Sequence, residues 1–190
     1  MALALRGHRQ SLDPRRRALH DRRCAEGRDR RSQRGQPHAA RPRNLQSVVV
    51  GPLDLTTQPP RPPREELDGL AFLPRTIDKL RATLPGGDLG AYKIPGFTGK
   101  MCELLAFEFD ALRRVVEEAA EDADVVHWLR EHADTSKYAA YNALVLGSVV
   151  TDENRARMLQ LHPIAAQDPQ LRFVVDVIAA DDRITFPAAR

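Results

Sequence analysis

Leu73, Ile77, Leu80 and Leu84 stand at spacings of four, three and four. On a helix they fall within an arc of about 60°. Pro74 suits the first helical position, where a missing N–H costs nothing. Pro85-Gly86-Gly87 closes the run. The pattern predicts a helix over 74–84. Arg75, Asp78 and Lys79 share its opposite face and Arg81 flanks it, and charged helix faces of this kind are normally solvated. Further stripes follow. Met101, Leu104 and Leu105 mark a helix near 98–106. Asp110 can cap one carrying Leu112, Val115, Val116 and Ala119, and Asp122 or Asp124 one carrying Val125, Val126, Trp128 and Leu129. Thr135 can cap a helix built on Tyr138, Tyr141, Leu144 and Val145. Thr151 can cap the next, and His162-Pro163 ends it. Asp168-Pro169 can start a last helix with Leu171, Val174, Val175 and Ile178 inward. Upstream, the Pro-rich 58–63 reads as extended, and REELDG (64–69) as a short helical turn stopped by Gly69. The loop 86–99 is Gly-rich, with a short extended piece at 92–94. No useful strand alternation and no solenoid period appear. The expected fold is a single all-α domain of about six or seven short helices.

Composition divides the chain in two. Residues 1–47 carry 13 Arg and no Lys against four Asp and Glu, a net +9; residues 48–190 carry 16 Lys and Arg against 22 Asp and Glu, a net −6. All ten aromatics lie at Phe72 or beyond, and residues 1–47 hold no Val or Ile. Such a leader cannot bury enough apolar area to offset its ordering entropy, so it is expected to be disordered. Three origins fit it: a spurious extension from a mis-assigned start, a natural tail, or an arm that neutralises nucleic-acid phosphates. Arg outnumbers Lys 25 to 4, which suggests a GC-rich genome, where non-coding DNA reads as Arg, Pro, Ala and Gly. Val48, Val49 and Val50 stand where composition turns protein-like, and a GTG start codon reads as Val. The expected division is therefore a basic leader, 1–47, and a helical domain, 48–190. Nucleic acid is not the expected partner.

The two cysteines, Cys24 and Cys102, build no disulfide framework, and no C-x-x-C occurs. The apolar run 143–147 falls far short of the ~20 residues of a membrane helix. Residues 2–5 are followed at once by Arg, without a signal-peptide core. The expected setting is cytoplasmic, away from membranes.

Little chemistry is spelled out. His127 and His132 lie about 140° apart on a helix and cannot share a metal, and neither H-E-x-x-H nor a Cys pair is present, so no metal or cofactor is expected. Pro85–Gly90 lacks the lysine of a phosphate loop. Cys102 has no nucleophile signature and reads as a small buried residue. Asp181-Asp182 can meet a cation or an arginine, or sit solvated at a helix end. The charged face of 74–84 is where chemistry would be sought. Asp78 beside Lys79 suits acid–base work, and Arg75 or Arg81 an anion clamp; solvation is the alternative.

One longer pattern remains. Leu53-Asp54-Leu55-Thr56, Pro59-Pro60-Arg61-Pro62-Pro63-Arg64-Glu65, Leu73-Pro74-Arg75-Thr76-Ile77-Asp78-Lys79-Leu80-Arg81-Ala82 and Leu89-Gly90-Ala91-Tyr92 together resemble the opening of the bacterial proteins grouped as DUF5069. Asp124, Trp128-Leu129, Tyr141-Asn142-Ala143-Leu144 and Ala180-Asp181-Asp182 continue the resemblance, which spans about 53–186. Pro62 departs from the family's usual Ser. Lys93-Ile94-Pro95-Gly96 replaces a segment that often carries Cys. The resemblance implies no activity, since the family has none established. It directs attention to Arg64, Arg75, Asp78, Lys79, Arg81 and Tyr92 as ligand-binding residues. The expected function is a helical module that binds a protein partner or a small anionic ligand. The alternative is a small enzyme using the Asp/Lys/Arg cluster. If the face is a site, 58–63 and 86–99 must fold over it and bring Arg64 and Tyr92 towards Asp78.

Overall fold

The computed structural model describes residues 51–187; the leader 1–47 lies outside the described residues. The described chain is all-α apart from one small hairpin. The hairpin pairs β1 (Glu66–Leu67) with β2 (Leu70–Ala71). The helices are α1 (Leu73–Arg81), α2 (Phe97–Leu104), α3 (Phe109–Glu118), α4 (Asp122–His132), α5 (Tyr138–Gly147), α6 (Asp152–Leu161), α7 (Ile164–Gln167) and α8 (Val174–Thr185). None is long and apolar enough to cross a membrane.

The hairpin replaces the helical turn expected at REELDG. Asp68 and Gly69 both take positive φ, 54° and 75°. A two-residue hairpin loop needs that conformation at both positions, and Asp-Gly supplies it cheaply. Arg130 of α4 anchors the loop through Asp68.

α1 stops at Arg81, a turn earlier than its apolar stripe suggests. After Ala82 the backbone switches to three-residue closures, Thr83 N–H to Leu80 O and Leu84 N–H to Arg81 O, at 3.0 and 3.1 Å. α2 ends in a Schellman closure: Ala106 sits at φ 59° and Phe107 N–H reaches Cys102 O at 3.1 Å. Ala106 is exposed and its methyl is strained there. Ala106→Gly should therefore raise stability by about 0.5 kcal/mol, the relief of left-handed strain exceeding the entropy that glycine adds to the unfolded chain. A thermal melt checks it; a lower midpoint would contradict it.

α4 opens differently from either cap expected. Glu121 is the cap residue, and Asp124 accepts the N–H groups of Ala120 and Glu121 at 2.8 and 3.0 Å. That leaves Asp122 free to turn inward. α8 starts at Val174, not at Asp168. Asp168 folds into an Asx turn with Gln170 N–H, and Arg172 O and Val174 N–H then bond to 148–150. Tertiary hydrogen bonds hold that segment extended, and the single-turn α7 precedes it.

The core is continuous. Leu70, Leu73, Ile77 and Leu80 meet Met101, Leu105, Leu112, Val116, Leu129, Tyr141 and Val145. α1 lies at its centre, against α3 and the hairpin. All nine residues of α1 are buried, its charged ones included. The face expected to be solvated is not, because another layer of chain covers it.

Candidate functional site

That layer comes from both sides of α1 in sequence. The segment 51–64 runs across the helix: Leu55 N–H bonds Asp88 O at 2.7 Å, Asp88 N–H bonds Leu53 O at 2.9 Å, and Leu55, Pro60 and Pro63 are buried. Arg81 Nε donates to Gly51 O at 2.8 Å. The loop that follows α1, which ends at Gly96 where α2 begins, adds Tyr92 from the other direction, and α4 and α8 bring in Asp122 and Asp182.

Arg61 binds Asp78 through four contacts. Its backbone N–H donates to Oδ2 at 2.8 Å, Nε to both oxygens at 3.0 Å, and Nη2 to Oδ1 at 2.8 Å. Its remaining Nη1 donates to Asp122. Burial works against the Arg61 charge, but the hydrogen bonds to Asp78 and Asp122 outweigh it and hold the pKa above the ordinary arginine value. Arg81 stands 3.8 Å from Asp78.

The second half of the cluster centres on Arg75, 1% exposed. It forks onto Asp182 at 2.7 and 3.2 Å, and Nη1 also reaches Pro60 O and Arg61 O. Tyr92 Oη donates to Asp182 Oδ1 at 2.7 Å. Burial, then the bond to Asp182, holds the phenol well above its usual range. The Tyr92 ring also lies over both Arg75 and Lys79, at 5.3 and 5.7 Å. Lys79 Nζ donates to Lys93 O at 3.2 Å. Burial first, then the neighbouring Arg75, pushes the Lys79 amine down to about 8.

Of the six residues expected to form a site, Arg75, Asp78, Lys79, Arg81 and Tyr92 converge. Arg64 does not. It lies exposed, forks onto Asp176 at 2.7 and 2.9 Å and covers Phe173. The closure of Glu65 N–H onto Pro62 O places Arg64 within a tight turn, with its side chain at the surface. Arg61 takes the place expected of Arg64. Tyr92 meets Asp182 and not Asp78. Asp182 takes an arginine, the first of the two roles open to it. Arg61 was legible only as part of the Pro-rich pattern, and Asp122 only as a candidate cap.

A separate groove of about 1070 Å³ opens on the far side of α1, walled by Leu80, Ile94, Cys102, Phe107, Phe109 and Arg113 among others. None of the charged cluster lines it. Burial pushes the Cys102 thiol up to about 11, so the thiolate is scarce at neutral pH. Among the described residues no group of three or more His, Cys, Asp or Glu stands together as a metal site.

Fold and cluster define a small all-α protein whose central helix is buried all round, by the apolar core on one face and by an ion-pair network on its charged face. The pattern that builds this network is a family pattern. The chain belongs to the DUF5069 family, a domain of unknown function whose model matches residues 57–184. No curated protein matches the chain.

Proposed function

We propose that this chain is a non-catalytic helical module that holds an apolar segment of a protein partner in the groove between α1, α2 and the start of α3. The separation of the buried ion-pair cluster from the groove supports the reading. Asp78 spends both oxygens on Arg61, so it has no lone pair to offer a substrate as general base. The groove is apolar along most of its wall, and its one thiol, Cys102, is held up at about 11 by burial, so it supplies little thiolate at neutral pH. Its volume lies just above the roughly 300–1,000 Å³ that small-molecule sites occupy, and it is open, which suits side chains presented by a peptide. The enzyme alternative leans on Asp78 and Lys79 acting together, and no hydrogen bond or ion pair joins them.

Phe109 tests it. The side chain is half-buried in the groove wall and sits in the first turn of α3, where an acidic residue suits the helix dipole. Phe109→Glu should keep the fold. Titrating an isotope-labelled chain with a panel of amphipathic helical peptides should shift the amides of Cys102, Phe107 and Phe109. The variant should weaken the best peptide at least about tenfold. Shifts confined to other surfaces, or equal binding by Phe109→Glu, would overturn the reading.

A further inference from the structure

We infer that Arg75, Lys79 and Tyr92 form a binding site for one small oxyanion, a carboxylate or a phosphate, distinct from the groove. The geometry begins with an imbalance. Against the Tyr92 ring lie two cations, Arg75 and Lys79, and the one carboxylate that faces both is Asp182. Asp182 is already engaged: it takes two bonds from Arg75 and one from Tyr92, and none from Lys79. Among the described residues Lys79 has no carboxylate within ion-pair distance, and its neighbours are the Lys93 carbonyl and the faces of Phe72 and Tyr92, at 5.9 and 5.7 Å.

The donors are left over as well. An ammonium has three N–H bonds, and Lys79 uses one. Arg75 Nε is buried and has no acceptor. Buried donors without partners are costly, and cations without partners more so. An oxyanion offers what both lack, since its oxygens accept several bonds and its charge cancels the surplus. Tyr92 is half-buried, so the ring that covers the two cations lies at the boundary with solvent. The charged groups facing Lys79 are Arg75 from its own helix and Asp182 from α8.

The site carries a proton signature. At pH 8 an amine with a pKa of about 8 is half protonated. An anion favours the ammonium, so binding takes up to about half a proton per site. Calorimetric titration of the full chain at pH 8, in two buffers of different ionisation enthalpy, reads affinity and proton uptake together. Sodium formate and inorganic phosphate are the two probes, with chloride as background salt. Saturable binding of either with proton uptake is the expected result, and the probe that binds tells carboxylate from phosphate. Lys79→Met should weaken it more than about tenfold. Lys79→Arg should still bind but take up no proton, because arginine stays charged. It serves alone if Lys79→Met fails to fold. Absence of saturable binding by both probes, binding without proton uptake, or proton uptake that survives Lys79→Arg would overturn the assignment.

Discussion

Replacing Asp78 by asparagine should lower the stability of the fold by about 3 kcal/mol, and urea unfolding followed by circular dichroism should show it as a lower midpoint at unchanged slope. A charged residue on a solvated helix face would cost under about 0.5 kcal/mol. Asp78 is 4% exposed, receives three of the four hydrogen bonds that Arg61 donates to carboxylates from its side chain, and also receives the Arg61 backbone N–H. The asparagine keeps the shape and loses the charge, which leaves a guanidinium held in a poorly hydrated place. The loss sits at the lower end of the range for a broken buried pair because Arg61 keeps Asp122. Arg64→Met is the internal control. The Arg64–Asp176 pair is 46% and 35% exposed, so its loss should cost under about 1 kcal/mol. Equal effects from the two substitutions would show that the cluster is not the stabilising network described.

Ile77→Asp should abolish the cooperative fold, with loss of the unfolding transition and of most helical ellipticity. Ile77 is wholly buried and touches the centre of the core. Removing a buried aliphatic side chain costs roughly 2–5 kcal/mol. Placing an unpaired carboxylate there adds several more, against a total stability of about 5–15 kcal/mol. Unlike Asp78, residue 77 meets no guanidinium. The two neighbours are therefore intolerant for opposite reasons, one because it is charged and paired, the other because it is apolar and packed. A soluble Ile77→Asp chain that melts cooperatively would remove α1 from the centre of the fold.

Much of the architecture is legible without coordinates. The apolar stripes of 73–84, 112–119 and 125–129 mark helices because an amphipathic helix repeats at 3.6 residues wherever it packs on one side. Helix ends are less legible. Thr151 does cap α6, with Asn154 answering it. Asp168 looks equally good as a cap, yet Ser148 and Val150 claim the backbone beyond it and delay α8. Asp68-Gly69 carries a hairpin signal in its two letters, and it outweighs the helical reading of the residues before it.

By itself, the sequence determined the helical class, the register of α1 and the family, and it drew together Arg64, Arg75, Asp78, Lys79, Arg81 and Tyr92, of which all but Arg64 meet. These follow from period and pattern along one stretch of chain. Only the tertiary structure decided whether the charged face of α1 meets water. Periodicity reports which residues share a face, but not what lies opposite, and here the layer opposite is assembled from 51–64, 86–96, α4 and α8. It also decided that Arg61 rather than Arg64 pairs with Asp78. The two arginines stand three residues apart in one Pro-rich segment, and across the tight turn at Pro62–Glu65 one lies in the cluster and the other at the surface.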